Sequence, residues 1–305
     1  MKKAKFIINA AVAKSGAMNQ IESYIGCLIL NRVVNHVDVA YTYKENDGMI
    51  EAMKMQKGEY DFVTAVGGDG TVHDVINGVI CGGNETPIAI ISVGTSNNFA
   101  NLLKMPDNRD AFCKMIMGMK TMDIDVGKIN DKYFVNSAVC GMWSGNVFGT
   151  SMESKAVFGK SAYFLEAVRS VPKQMMKTVT LKFKSEEFTD TKESVLFIAR
   201  NSGTMYGNKD VAAMDMITDG KLDILIIERM DFVKMSRLFL RFMQGEHLNA
   251  PGVTFFQTKS LYVSQESGER AILDFDKERY GELPVHGELP VHIEAVAGAV
   301  KIIIP

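Results

Sequence analysis

No run of apolar residues in this sequence approaches the length of a membrane span, so contact with a bilayer is expected from its surface only. No surplus of positive charge exists either: 34 Lys and Arg stand against 36 Asp and Glu, a net charge of −2. A chain that grips nucleic acid through phosphates needs a basic excess, so no nucleic-acid partner is expected. Cysteine is sparse. Cys27, Cys81, Cys113 and Cys140 are far apart and lack metal-ligand spacing, which points to reduced core thiols and a cytoplasmic location. A signal peptide is not expected either. Lys2, Lys3 and Lys5 precede Phe6-Ile7-Ile8 in the manner of one, but Asn9 interrupts the apolar run, and a first strand leading into a loop fits better.

What is present suits a globular protein with two cores: 305 residues, 47% hydrophobic and 23% charged. The first part alternates strand and helix patterns. Strands are expected at Lys5–Asn9, Val37–Tyr43, Phe62–Val66 and Pro87–Val93, and helices at Asn19–Asn31, Gly48–Lys57 and Asp110–Gly118. That alternation predicts an α/β fold, a three-layer doubly wound domain over 1–125 with its site at the strand C-termini. From about Asp123 strand patterns dominate: Lys132–Val139, Thr178–Phe183, Ser194–Asn201, Leu222–Ile227 and Leu261–Ser264. These predict an antiparallel β-sandwich over 126–295, with helices near Ser161–Val171 and Val233–Gln244. A last strand, within about 296–305, is free to return to either sheet. Gly281–His286 is repeated at once as Gly287–His292, too short to be architectural; a lengthened hairpin loop accounts for it.

The most informative stretch is Gly67-Gly68-Asp69-Gly70-Thr71. A buried strand pattern precedes it, and Val72–Val79 follows with helical spacing. Strand, glycine turn and helix aim backbone N–H groups at an anion, with the positive helix end behind them. A Cβ would obstruct a phosphate. The Asp69 carboxylate would repel a bare phosphate, which suggests an intervening Mg²⁺ or its bound water. The plain alternative is an ordinary strand-to-helix turn. A second glycine turn, Gly94–Ala100, follows the next strand and belongs at the same sheet edge.

These residues, GGDGT, Asn77-Gly78 and the GTxNxFA segment, resemble the catalytic domain of the diacylglycerol kinase and lipid kinase family, in its soluble bacterial form. The resemblance extends along most of the chain through Asp125-Val126-Gly127, Phe158–Tyr163, Asn201 with Tyr206-Gly207, and Asp219–Asp223. It implies that Asn9, Thr42, Gly67, Gly68, Asp69, Gly70, Thr71, Val72, His73 and Thr95 hold ATP. Asp219, with the backbone of Met216 and Lys221, would serve Mg²⁺. Asp276-Lys277-Glu278 falls where the family has Asp-Gly-Glu, so Asp276 and Glu278 are jointly the expected general base. The implied acceptor is a lipid at the inner face of the membrane, with diacylglycerol giving phosphatidic acid. A homodimer and peripheral membrane association are implied with it.

Departures from the family pattern leave two alternatives open. Ala10 and Ala213 stand in place of prolines, Asn98 in place of an aspartate, and Lys277 in place of a glycine. An NAD kinase-like enzyme also carries GGDGT, and a nucleotide- or lipid-binding regulator with weakened turnover would tolerate Asn98 and Lys277. Several residues also have plain readings. Asp219-Gly220 could be a simple hairpin turn, Asp276 and Glu278 a solvated charged face, Asn9 and Thr42 strand-end caps, and His73 a helix-surface residue. Lys155, Lys160, Arg169, Lys173 and Lys177 surround apolar Phe158, Phe164 and Leu165, a pattern that suits either an anionic bilayer or a solvated helix face.

Overall fold

The structure, a computed structural model, describes residues 2–14, 18–93, 97–141, 178–201, 217–244, 246–267, 270–276, 278–283 and 290–305. The chain divides into two compact units, Met1–Val126 with Ala297–Pro305, and Gly127–Val296.

In the first unit β1 (Lys2–Asn9), β2 (Val34–Thr42), β3 (Phe62–Gly67) and β4 (Ile88–Ser92) form a parallel sheet in the order β2-β1-β3-β4. All six residues of β3 are buried, as expected of a parallel strand covered on both faces. On one face α2 (Met18–Leu30) and α6 (Arg109–Gly118) bury Ile21, Leu28 and Ile116 against Phe6, Ile8 and Val66. Tyr24 meets Phe112 edge-on there, with ring centroids 5.4 Å apart. On the other face lie α3 (Asp47–Met53) and α4 (Asp69–Cys81), packed on each other and on β1 and β3. Gly78 lets them close up, because a Cβ there would overlap the Met49 carbonyl oxygen and lie 2.5 Å from Ala52 Cβ. Asn108 starts α6 by accepting the Ala111 N–H at 2.9 Å. Each fully buried Phe or Ile contributes roughly 1.5–3 kcal/mol, enough that the four cysteines, all free, are not needed as staples.

The chain leaves β1 for β2 on one side and then crosses to β3 on the other, so the strand order reverses between β1 and β3. Crevices at such reversals, outside the strand C-termini, are where doubly wound sheets bind ligands. Two short helices occupy this edge: α1 (Ala10–Lys14) after β1 and α5 (Asn98–Leu102) after β4.

The second unit is antiparallel. It comprises β6 (Lys132–Phe134), β7 (Ser137–Gly141), β8 (Val179–Lys184), β9 (Thr189–Arg200), β10 (Leu222–Glu228), β11 (Val253–Thr258), β12 (Ser260–Ser267), β13 (Ile272–Phe275) and β14 (Glu278–Glu282). β5 (Thr121–Ile129) enters it from the first unit and pairs with β6. Phe134, Phe183, Phe197, Ile224, Leu261 and Phe275 share one core. A smaller cluster, Val195, Leu196, Ile198 and Leu225, is covered by Met235 of α7 (Phe232–Gln244). The final strand β15 (Val291–Ile303) serves both units: Val291–Glu294 pairs with β12, and Ile302 with Ile88 of β4.

One expected strand is corrected. Lys132–Val139 is not continuous; it breaks into β6 and β7 at Val135-Asn136, where the backbone amides turn toward a side chain of β13's hairpin. The expected helix at Ser161–Val171 and its basic neighbours lie outside the described residues.

Candidate active site

Among the described residues, Asn9, Thr42 and the Gly67–Thr71 loop lie where the strands of the first unit end. Asn9 and Thr42 are register partners at the ends of β1 and β2, and Gly67 pairs with Ser92. The Asn9 side-chain oxygen accepts the Ala11 N–H at 2.9 Å, and its amide nitrogen reaches Thr71 Oγ1 at 3.4 Å. Thr42 is buried, its hydroxyl 3.5 Å from the Ile8 carbonyl. Asn9 therefore joins the first strand end to the glycine loop, while Thr42 fastens the second to the first.

The loop is built around Gly67 and Gly68. A Cβ on Gly67 would overlap the Thr71 hydroxyl and lie 2.7 Å from Thr71 Cβ. Gly68, extended at φ −90°, ψ −170°, caps α4, and its carbonyl accepts the N–H groups of Thr71 and Val72 at 3.0 and 3.2 Å. The amides preceding these are the ones a helix start offers to an anion. Space for that anion exists: a Cβ on Gly70 would meet nothing within 4 Å, and one on Gly68 only Asn97 Oδ1 at 3.9 Å. The loop fits a phosphate group. His73 follows the loop on α4. It is 5% exposed, with its ring nitrogen 3.3 Å from the Asn77 amide, so it is not a helix-surface residue.

Asp69 has a more specific place than its charge suggested. Its two carboxylate oxygens accept the N–H groups of Asn98 and Phe99 at 3.1 and 3.2 Å. Those are the first amides of α5, so the side chain of one glycine loop caps the helix that follows the other. Val93 adds a backbone bond from its N–H to the Gly67 carbonyl at 2.9 Å. Thr95, with Gly94 and Ser96, lies outside the described residues.

In the second unit, Asp276 occupies the turn between β13 and β14, which Phe275 and Glu278 close as register partners. Its backbone is left-handed, φ 43°. Its carboxylate accepts the Val135 N–H in a short hydrogen bond, and those of Asn136 and Ser137 at 2.8 and 3.0 Å. Three amide donors on one carboxylate make an anchor. Glu278 begins β14, two residues along; its side chain lies outside the described set, as does Lys277. Asp219 is exposed and accepts the Lys221 N–H at 2.9 Å across Gly220, itself left-handed at φ 69°, in the turn that starts β10. Met216 is outside the described residues.

Residues 3–129 match the diacylglycerol kinase catalytic domain, and residues 144–304 the YegS C-terminal NAD kinase beta sandwich-like domain. The chain is 30% identical over 245 residues to a diacylglycerol kinase of Staphylococcus haemolyticus, covering 80% of this chain and 73% of that one. It is 26% identical over 286 residues to a diacylglycerol kinase of Staphylococcus aureus, covering 93% and 89%. The chain belongs to the diacylglycerol kinase family. A crystal structure of a diacylglycerol kinase from Bacillus anthracis superposes with a TM-score of 0.69 at 20% identity, over 99% of this chain and 97% of that one, a likeness of fold. The α/β and β-sandwich class expected from the sequence is the one this lipid kinase has.

Two features of the kinase lie beyond the sequence reading. The Asp276 clamp depends on amides about 140 positions away, which no local pattern announces. Arg200 and Gln257 both bond the Asp223 carboxylate, at 2.8 and 2.9 Å, fixing β9, β10 and β11 together. Only the Asp219–Asp223 motif hinted at this network. For a divalent cation, no three His, Cys, Asp or Glu side chains come together among the described residues. Of the three residues expected to serve Mg²⁺, the structure describes Asp219 and Lys221 only. No helix among the described residues is long and apolar enough to cross a membrane.

Proposed function

We propose that this lipid kinase transfers the γ-phosphoryl group of ATP to the hydroxyl of a membrane lipid, with diacylglycerol as acceptor and phosphatidic acid as product. The observation that most supports this is the Asp69 bridge, which ties the glycine loop after β3 to the start of α5 after β4, beside the strand-order reversal. Residues 1–126 with 297–305 form the nucleotide-binding domain, and residues 127–296 the domain that presents the lipid.

The loop from Gly67 to Thr71, offering the Asp69 and Gly70 N–H groups, with the Asn9 side chain braced on Thr71 and Thr42 behind it, holds the phosphates of ATP. Thr95 joins them from the second turn. Val72 acts through its backbone N–H, which orders the first helical turn, and His73 acts from beneath by packing α4. Phosphoryl transfer then requires positioning, charge neutralisation and removal of one proton. The lipid oxygen bonds to the γ-phosphorus, the bond to the β-phosphate oxygen breaks, ADP leaves, and Glu278 takes the hydroxyl proton. Asp276 belongs to the same hairpin, but its oxygens already receive three amides, so we assign it the task of placing Glu278. Mg²⁺ accompanies the nucleotide and would neutralise phosphate charge; Met216, Asp219 and Lys221 remain its proposed neighbours. The protein works at the inner face of the membrane as a peripheral, homodimeric enzyme.

Incubation with labelled ATP, Mg²⁺ and a lipid extract tests this, with NAD as a parallel acceptor. Labelled phosphatidic acid is the expected product. Labelled NADP, or tight ATP binding with no labelled lipid, would overturn it.

A further inference from the structure

We infer that α7 docks the second unit onto an anionic bilayer surface. The inference rests on the lipid-kinase function and adds to it the surface that meets the membrane. The sequence of α7, FVKMSRLFLRFMQ, contains no acidic residue but has Lys234, Arg237 and Arg241, in a chain whose net charge is −2. Its inner side is accounted for. Leu238 is 6% exposed, and Met235 packs on Val195, Leu196, Ile198 and Leu225.

The outer side carries an unusual mixture. Val233 and Leu240 are 57% and 51% exposed, and Lys234, Arg237 and Arg241 are exposed among them. At about 100° per residue these five fall within a stripe about 120° wide, so apolar and cationic groups share one face. Asp231, just before the helix, caps it through the Lys234 N–H at 2.9 Å and pairs with the Lys234 ammonium at 3.4 Å. Among the described residues no carboxylate pairs with Arg237 or Arg241. Water is a poor partner for two large apolar side chains, and a protein partner would have to supply acids at two fixed points. An anionic bilayer satisfies both needs at once: Val233 and Leu240 enter the headgroup boundary while the guanidinium groups remain among lipid phosphates.

The test uses the full-length protein and vesicles without ATP or diacylglycerol. Co-sedimentation compares phosphatidylcholine vesicles with vesicles also containing phosphatidylglycerol. The unchanged protein is expected to bind the anionic vesicles, more weakly as salt rises. Arg237→Gln with Arg241→Gln should weaken that binding about thirtyfold, two cations' worth, and Leu240→Ser about tenfold. Arg241→Lys should bind normally, which separates loss of charge from loss of fold. Each variant should phosphorylate diacylglycerol normally in neutral detergent micelles, where no bilayer need be found.

Anionic-vesicle binding unchanged in both the double-Gln and the Leu240→Ser proteins would overturn the proposal, and micellar turnover would still leave the kinase function intact. A shift in sedimentation coefficient with unchanged vesicle binding would also overturn it, marking the stripe as a contact between copies. Charge-dependent vesicle binding with no phosphoryl transfer to any lipid would support the docking face while removing the kinase function.

Discussion

Both units immobilise an aspartate with backbone amides, but to different ends. In the first, Asp69 receives two amides from the start of α5 and remains partly exposed beside an open glycine loop. In the second, Asp276 receives three consecutive amides and sits in a left-handed conformation that costs about 1–2 kcal/mol by itself. The first carboxylate organises a surface that still has amides to offer a ligand. The second is consumed by structure, and the proposed function gives the chemistry to the acid two residues along. A carboxylate's position in a motif does not reveal whether it acts or anchors; its donors do.

Separating the two acids of the hairpin gives the largest effect. Glu278→Gln should lower turnover by about 10²–10⁴-fold with an unchanged urea midpoint. Asp276→Ala should also lower turnover, but with a stability loss of about 2–4 kcal/mol, since three amides lose their acceptor. Equal stability in the two variants would return Asp276 to the role of base. Asp69→Ala should weaken ATP binding at least about tenfold and cost about 1–2 kcal/mol as a lost helix cap, measured by calorimetry and unfolding.

Two glycines sharpen the contrast between site and scaffold. Gly67→Ala must displace Thr71 and should weaken ATP binding about tenfold, at a stability cost of about 1–3 kcal/mol. Gly78→Ala drives a Cβ into α3 and should cost about 1–3 kcal/mol while ATP affinity holds. Reversed effects on ATP affinity would mean the loop is structural and α4 functional.

Smaller effects follow from the thiols. Burial pushes Cys140 up to about 12 and Cys113 up to about 11, with Cys27 beside the latter adding to the rise. The folded protein keeps these protons above pH 9, where unfolded thiols lose theirs, so stability should fall as pH rises from 8 to 11. Both should resist alkylation at pH 8 until the protein unfolds. The smallest effect is expected for Asn98→Asp, which adds a carboxylate next to the Asp69 bridge. Turnover should rise modestly at limiting Mg²⁺, with stability within about 0.5 kcal/mol.

Much of the first unit was legible because its signals are local. Phe62–Gly67 and Asp69–Cys81 follow from an apolar run, a glycine turn and helical spacing, and Asp110–Gly118 differs from its helix by one residue. The antiparallel unit was less legible. β11, β13 and β14 escaped notice because VTFFQT, ILDF and ERYGE are short and alternate apolar and polar residues poorly, and β9 begins five residues early through a polar stretch, Thr189–Glu193. Asn9 and Thr42 are side by side because β1 and β2 are in register, a relation between distant segments. The helix-surface reading of His73 arose because periodicity cannot tell a buried polar position with a partner at i+4 from an exposed one.

The last strand makes folding order a property of the topology. β4 gains its outer neighbour only when Ile302 arrives, after every residue of the second unit has been synthesised. During translation the first sheet is held with one apolar margin uncovered, and the antiparallel unit has time to form before that margin is sealed. A nascent chain halted near residue 296 should therefore be captured by chaperones through β4, and one extended through residue 305 should escape them.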